Sequence, residues 1–229
     1  GLTKGIIGLV NKGQPRKMDD WGVLRAWAWA DSRTLDYLQT DPDVNGRQVG
    51  IMGHSRGGKA ALVALVDDPR LAIGFISSSG AGGANLYRRN YGELPENVAA
   101  PNEFHWMAGN FLKYAATGHT IDELPVDSHE FIALAAPRPI FFGGGAYVAT
   151  PACAIPGDVW QDAHGVFKAV AAASPAWEIY GKKGLETATF PKVETFLPNG
   201  TIGFRQHPYG HTPTPNWSYF IRFAAKYLK

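Results

Sequence analysis

The chain has 229 residues, and 22 basic against 20 acidic side chains give it a formal net charge of +2. That length is enough for one sizeable core, and so balanced a charge excludes a surface built for nucleic acid. The composition, 45% hydrophobic and 18% charged, is that of a globular domain. No run approaches the roughly 18 apolar residues that a membrane span needs, so neither nucleic acid nor membrane is an expected partner. Cys153 is the only cysteine, which rules out a disulfide within the chain and leaves it the role of an ordinary small side chain.

Residues 1–19 are rich in Gly and Lys around one apolar patch, Ile6-Ile7-Gly8-Leu9-Val10, and read as a loop or lead-in segment. Over residues 20–38, Val23, Leu24, Trp27, Ala28, Leu35 and Leu38 recur mostly at helical spacing, with Asp19 or Asp20 available as N-cap. Asp41-Pro42-Asp43-Val44-Asn45-Gly46 breaks that helix. A strand near 49–53 and a helix to about 66 follow. A buried-strand candidate at 71–77 then runs into the small-residue loop Ser78-Ser79-Gly80-Ala81-Gly82-Gly83.

Residues 84–128 form a long aromatic-rich excursion with Trp106, Phe111 and Tyr114, read as one or two helices beside the sheet. A short helix at 130–136, a strand at 139–144 stopped by glycines and a helix near 162–173 come next. Strands at 193–197 and 201–206 flank a tight turn at Pro198-Asn199-Gly200, and a helix over 216–227 closes the chain. Strands alternating with helices imply an α/β fold, a mostly parallel sheet with helices on both faces, in one domain over residues 1–229.

The stretch with the clearest chemistry is Val49-Gly50-Ile51-Met52-Gly53-His54-Ser55-Arg56-Gly57-Gly58-Lys59-Ala60-Ala61-Leu62. An apolar strand, Gly-x-Ser-x-Gly and an alanine-rich helix in that order form the context of a nucleophile elbow. The serine occupies a strained turn, so the glycines two residues to either side are expected to relieve clashes. Its hydroxyl then stands at the C-terminal edge of the sheet, where the helix that follows offers free N–H groups to developing negative charge.

In α/β-hydrolases the partners follow in the order serine, acid, histidine. The histidine belongs between the last strand and the last helix, where His207 and His211 both lie. His211, in Tyr209-Gly210-His211-Thr212-Pro213, suits a fixed loop, whereas His207 abuts the strand end and reads as a packing or supporting residue. His105, His119 and His129 lie in or at the end of the excursion. The acid is expected after the strand at 139–144, which selects Asp158 over Asp162, whose position suits a helix N-cap. The assignment is Ser55 as nucleophile, His211 as base and Asp158 as its orienter. No histidine has metal-ligand spacing, and neither metal nor other cofactor is expected.

Gly53-His54-Ser55-Arg56-Gly57-Gly58-Lys59 resembles the Gly-x-Ser-Arg-x-Gly-Lys signature of glucuronoyl esterases, carbohydrate esterase family 15. Ala26-Trp27-Ala28-Trp29-Ala30, Ala136-Pro137-Arg138-Pro139, Asp158-Val159-Trp160 and Gly210-His211-Thr212 fit the same family in order, from about residue 20 to the C-terminus. The resemblance implies hydrolysis of esters that join 4-O-methyl-glucuronic acid on xylan to lignin alcohols. It implies that Arg56 supplies a backbone N–H and a nearby guanidinium to the oxyanion. It further implies that Lys59 contacts sugar hydroxyls, that Trp160 offers its face to the sugar ring, and that Glu93 in Tyr91-Gly92-Glu93 hydrogen-bonds the glucuronate. A secreted or periplasmic protein follows from such a substrate.

Two departures from the family stand out. Many members carry the catalytic acid as a glutamate just after the strand that follows the nucleophile, and here Ser78 occupies that place. The acid role therefore falls to Asp158, the site that some bacterial members use. Family enzymes also have well over a hundred residues before the helix at 20–38, including the first strands and a second oxyanion donor. The expectation is thus the C-terminal portion of a catalytic domain, with a separate N-terminal segment of the same protein as a partner and an exposed sheet edge without it. Rival readings are an acetyl-xylan or feruloyl esterase on the same fold, or a catalytically silent carbohydrate-binding relative.

Overall fold

A computed structural model describes residues 2–148 and 157–229; Cys153 lies outside them. Two runs without polar alternation, β2 (Ile73–Ser77) and β3 (Ile140–Gly145), are buried at every position. That pattern marks strands covered on both faces. They form the centre of a sheet whose order, among the described residues, is β1-β2-β3-β5-β4, with β1 at Gly50–His54, β4 at Phe196–Leu197 and β5 at Ile202–His207. All neighbours run parallel except the β4–β5 pair, which is antiparallel. Register aligns the C-terminal ends: His54 lies opposite Ser77, Ser77 opposite Gly143, and Gly145 opposite His207.

The helices in chain order are α1 (Gly5–Val10), α2 (Val23–Leu38), α3 (Arg56–Asp67), α4 (Pro95–Val98), α5 (Leu112–Ala115), α6 (Ser128–Ala133), α7 (Ala163–Ala173), α8 (Pro175–Glu178) and α9 (Trp217–Ala224). On one face of the sheet, α2, α3, α6 and α7 enclose a core built from Leu35, Leu62, Leu65, Ile76, Phe142 and Phe167. On the other face, Phe223 of α9 packs against Phe75 and Phe141. No helix among the described residues is long and apolar enough to cross a membrane.

Four sequence expectations change. The lead-in is not all loop, because Gly5–Val10 winds into α1. Helix α2 starts at Val23 on an N-cap Gly22 with no side-chain cap; Asp20 instead accepts the Lys17 N–H at 2.6 Å. The strand expected from residue 193 begins only at Phe196.

The excursion is the largest change. It holds no helix longer than four residues, only α4, α5 and three 3₁₀ turns, Phe104–Trp106, Gly109–Phe111 and Ile121–Glu123. Its aromatic residues do not repeat at helical spacing. They fill a small separate core in which Trp106 and Phe111 meet Leu24, Ala60 and Val98. Buried carboxylates hold it in place: Asp127 accepts the Tyr87 N–H at 2.7 Å, and Asp162 accepts from Arg89 Nε at 2.6 Å.

Candidate active site

Ser55 stands between β1 and α3 with φ 59° and ψ −133°, a strained backbone for a residue bearing Cβ. Its N–H donates to Ser77 O at 2.9 Å, while its own carbonyl accepts from the Gly58 and Lys59 N–H groups. The tight turn is made possible by Gly53 and Gly58 rather than by the symmetric pair expected from the motif. A Cβ at Gly53 would meet Gly57 O at 2.0 Å and one at Gly58 would meet Ser77 O at 2.8 Å, whereas one at Gly57 would meet nothing. Arg56, exposed, opens α3, and its backbone N–H is one of those that a helix leaves without an internal partner.

Asp158 and His211, 53 residues apart, meet. Asp158 Oδ1 lies 2.7 Å from His211 Nδ1, with the carboxylate fully buried and the imidazole 21% exposed. The second oxygen, Oδ2, accepts the Gly145 N–H at 2.5 Å and the Ser78 hydroxyl at 2.6 Å. Ser78 thus keeps a part in the site: with no carboxylate of its own, it donates to that of Asp158. Asp162 caps α7 by accepting the Gly165 N–H, as its position suggested.

His207 holds the loop that presents His211. Its Nδ1 accepts the Tyr209 N–H at 3.2 Å, so Nε2 carries the proton and donates to Thr212 O at 2.8 Å. His211 is also packed between two rings, with His54 at 4.2 Å and Trp160 at 5.1 Å between centroids. The site closes on one side only: among the described residues the Ser55 hydroxyl makes no hydrogen bond. His211 is brought beside the nucleophile's turn by its packing on His54, the residue before Ser55. In free enzymes the nucleophile–base contact is commonly long and tightens around substrate.

His54 was not singled out by the sequence, and its place between β1 and the base gives it weight. Its Nδ1 lies 3.1 Å from Ser77 Oγ. Burial, followed by the proximity of His211, lowers its pKa from 6.5 to about 4. Burial likewise lowers that of His207. Both imidazoles stay neutral in the fold at pH values where an unfolded chain protonates them, so the unfolded state binds more protons below pH 6.5. Stability is expected to fall as pH drops from about 6.5 towards 4, with no such loss above 6.5. A Tm series over this range checks it, and His54→Asn should flatten the slope.

Lys59 is neither solvated nor open to the cleft. It is 1% exposed, with Nζ donating to Glu93 Oε2 at 2.6 Å and to Ala81 O at 2.5 Å, and lying 5.2 Å from the Trp106 ring centre. Burial lowers its pKa and the Glu93 carboxylate opposes that. Glu93, 14% exposed, also accepts the Ala81 N–H and so is held rigidly. Removing one member of such a pair costs about 3–5 kcal/mol when it is fully buried. Lys59→Met is expected near the lower end, a Tm drop of roughly 10 °C, and adding Glu93→Gln should restore part of it; thermal melts of the three proteins decide.

Beyond Glu93 lies a cleft of about 430 Å³ lined by Gly92, Glu93, Asn97, Asn102, Glu103 and Trp160, among others. Glu93 is fixed to the acid-bearing loop because its N–H donates to Trp160 O at 2.7 Å. Gly92 allows that approach, having φ 74° and standing where a Cβ would meet the same oxygen at 2.2 Å. Trp160 therefore separates His211 from the cleft, with one ring shared by both. No cluster of His, Cys, Asp and Glu among the described residues could hold a metal ion.

A mostly parallel sheet, an elbow serine at a strand end and a buried aspartate on a loop histidine define the chain as an α/β-hydrolase-type protein. A family model described as glucuronyl esterase of fungi matches residues 16–171. The solved structure of a CE15 glucuronoyl esterase from Teredinibacter turnerae is 49% identical, with a TM-score of 0.92 over 99% of this chain and 51% of that one. A carbohydrate esterase, MZ0003, from an unknown prokaryote is 35% identical over 91% of this chain and 45% of its own length. A 4-O-methyl-glucuronoyl methylesterase from Podospora anserina is 34% identical over 52% of this chain and 26% of its own. The chain belongs to the glucuronoyl esterase family, carbohydrate esterase family 15, and spans about half the length of these relatives or less.

Proposed function

We propose that the protein is a serine carboxylic-ester hydrolase that cleaves esters of (4-O-methyl)glucuronic acid, the linkage between xylan and lignin alcohols. The observation that carries this reading is the 2.7 Å contact of buried Asp158 with His211 beside the strained turn of Ser55. Asp158 keeps the proton of His211 on Nδ1, so Nε2 is free to take the Ser55 proton as Oγ attacks the ester carbonyl. The carbonyl oxygen becomes an oxyanion facing the Arg56 N–H and guanidinium, where one preorganised donor contributes about 3 kcal/mol. Collapse expels the alcohol, which takes the proton from Nε2. Water, deprotonated in turn by His211, then releases the acid and regenerates Ser55.

Trp160 gives the sugar ring a flat face next to His211, and Glu93 gives its hydroxyls an acceptor. Lys59, buried beneath Glu93, acts by fixing that carboxylate. Strand β1 pairs on one side only among the described residues, so this edge is where a further N-terminal segment of the protein would add strands and a second oxyanion donor. A polymeric substrate of this kind makes the protein secreted or periplasmic.

The test is turnover by the whole protein of benzyl D-glucuronate, acetylated xylan and methyl ferulate. Preference for the glucuronate supports the proposal. Preference for either other ester assigns it to a different polysaccharide esterase, and no turnover of any favours a silent carbohydrate-binding relative.

A further inference from the structure

The loop that presents His211 leaves the sheet after His207, the last residue of β5, and closes at Asn216, just before α9. His207 ties its first stem. The second stem is tied by a pair of side chains that the reaction leaves unused, Arg205 of β5 and Asn216. The guanidinium is 4% exposed and the amide is fully buried. Arg205 Nη1 donates to Asn216 Oδ1 at 2.7 Å and to Pro215 O at 3.4 Å, and Asn216 Nδ2 donates back to the Arg205 carbonyl at 3.5 Å. Gly143, opposite Arg205 in β3, makes room for the amide, since a Cβ there would meet Asn216 Nδ2 at 2.5 Å. The Gly143 carbonyl also accepts the Ser78 N–H, and Gly145, two residues on, binds Asp158. The pair therefore ties the base's loop to the strand that holds the acid.

Burial destabilises a guanidinium, and this one is poorly compensated. Glu194, the carboxylate that faces it, is 66% exposed and 3.9 Å away. Nε is buried with no hydrogen-bond partner among the described residues, and the Tyr219 ring of α9 covers the charge at 3.8 Å. Apolar side chains of similar volume often stabilise such a place as well or better, so stability does not account for the pair. What it supplies, and apolar contact does not, is direction: bonds of fixed geometry between β5 and the residue that ends the loop. Burial, with the Arg205 charge adding to it, also lowers the pKa of His207, which keeps the tie at the first stem neutral. We propose that Arg205 and Asn216 are positioning residues for His211, holding its loop so that the imidazole meets the Ser55 hydroxyl. This rests on the reading of Ser55, His211 and Asp158 as the reacting groups. A misplacement of about 1 Å can cost on the order of 100-fold in rate, so slack in this stem shows in kcat even where the fold is kept.

The experiment compares the whole protein with Arg205→Met, Asn216→Leu and the double variant in Tm, in turnover of benzyl D-glucuronate, and in the rate at which a fluorophosphonate labels Ser55. Each single variant strands one polar partner in the core and should lower Tm. The double variant removes both and should recover most of that loss. Its kcat should nevertheless stay at least tenfold down, with KM within twofold and labelling at least tenfold slower. Asn216→Asp keeps an acceptor for Arg205 and should hold kcat and labelling within threefold of the unaltered protein, which tests the proposal even if the apolar variants do not fold. A double variant with kcat and labelling within twofold of the unaltered protein, a rise in KM with kcat unchanged, or an Asn216→Asp protein as slow as Asn216→Leu overturns the proposal. Failure of the functional reading looks different: Ser55 is labelled in the unaltered protein while the glucuronate ester is not turned over, and the labelling rates still decide the role of the pair.

Discussion

Ser55→Ala is expected to lower kcat by at least about 10⁴-fold, the size of effect seen when a triad nucleophile is lost. That is more than about 5 kcal/mol of transition-state stabilisation. The expectation is clean because the hydroxyl makes no hydrogen bond among the described residues, so alanine removes chemistry and no bond described there. The backbone at φ 59° stays as strained with alanine as with serine, and Tm should move by no more than about 1 °C, as for a substitution that removes no packing or bonding. Steady-state kinetics together with a melt check both halves. A large loss of Tm would mean that the serine has a structural part that the geometry does not contain.

Asp158→Asn is expected to be nearly as severe, about 10⁴-fold in kcat, for a different reason. The carboxylate of Asp158 faces three donors: the Gly145 N–H and the Ser78 hydroxyl on Oδ2, and His211 on Oδ1. An asparagine that keeps its oxygen towards Gly145 and Ser78 turns its NH₂ on Nδ1 of His211. The imidazole must then accept there, its proton moves to Nε2, and the base can no longer take the Ser55 proton. KM should change little, since Asp158 is fully buried behind His211. If instead the variant kept more than a tenth of the activity, a carboxylate other than Asp158 would have to be orienting the base.

The members of the proposed triad could be picked out in the sequence because each sits where an ordered sheet edge must put it. Gly53-x-Ser55 follows a strand and opens a helix, Asp158 follows β3, and His211 lies between β5 and α9. Chain order and strand ends fix those positions without any contact being known. The supports could not be read this way. Ser78 looked like a loss because the sequence offers a missing glutamate, while its use depends on a hydroxyl reaching Asp158 80 residues on. His54 carries no partner signal in the sequence, and it matters only through what packs against it.

The excursion misled for a related reason. Trp106, Phe111 and Tyr114 suggested helices, but the segment is folded by long-range bonds to Asp127, Asp162 and Trp160 O, which periodicity does not record. Lys59 was expected at the sugar because the resemblance to the family implies it, and it follows the nucleophile by one helical turn. That spacing does set its helix face, yet its long side chain runs inward to Glu93 and Trp106.

The most direct test of the account is peptide mapping by mass spectrometry after treating the whole protein with a fluorophosphonate, following the rate at which the adduct forms. The account predicts one adduct, on Ser55, formed at least a hundredfold more slowly in His211→Ala. Modification at another residue, no modification at all, or equal rates in the two proteins would contradict it.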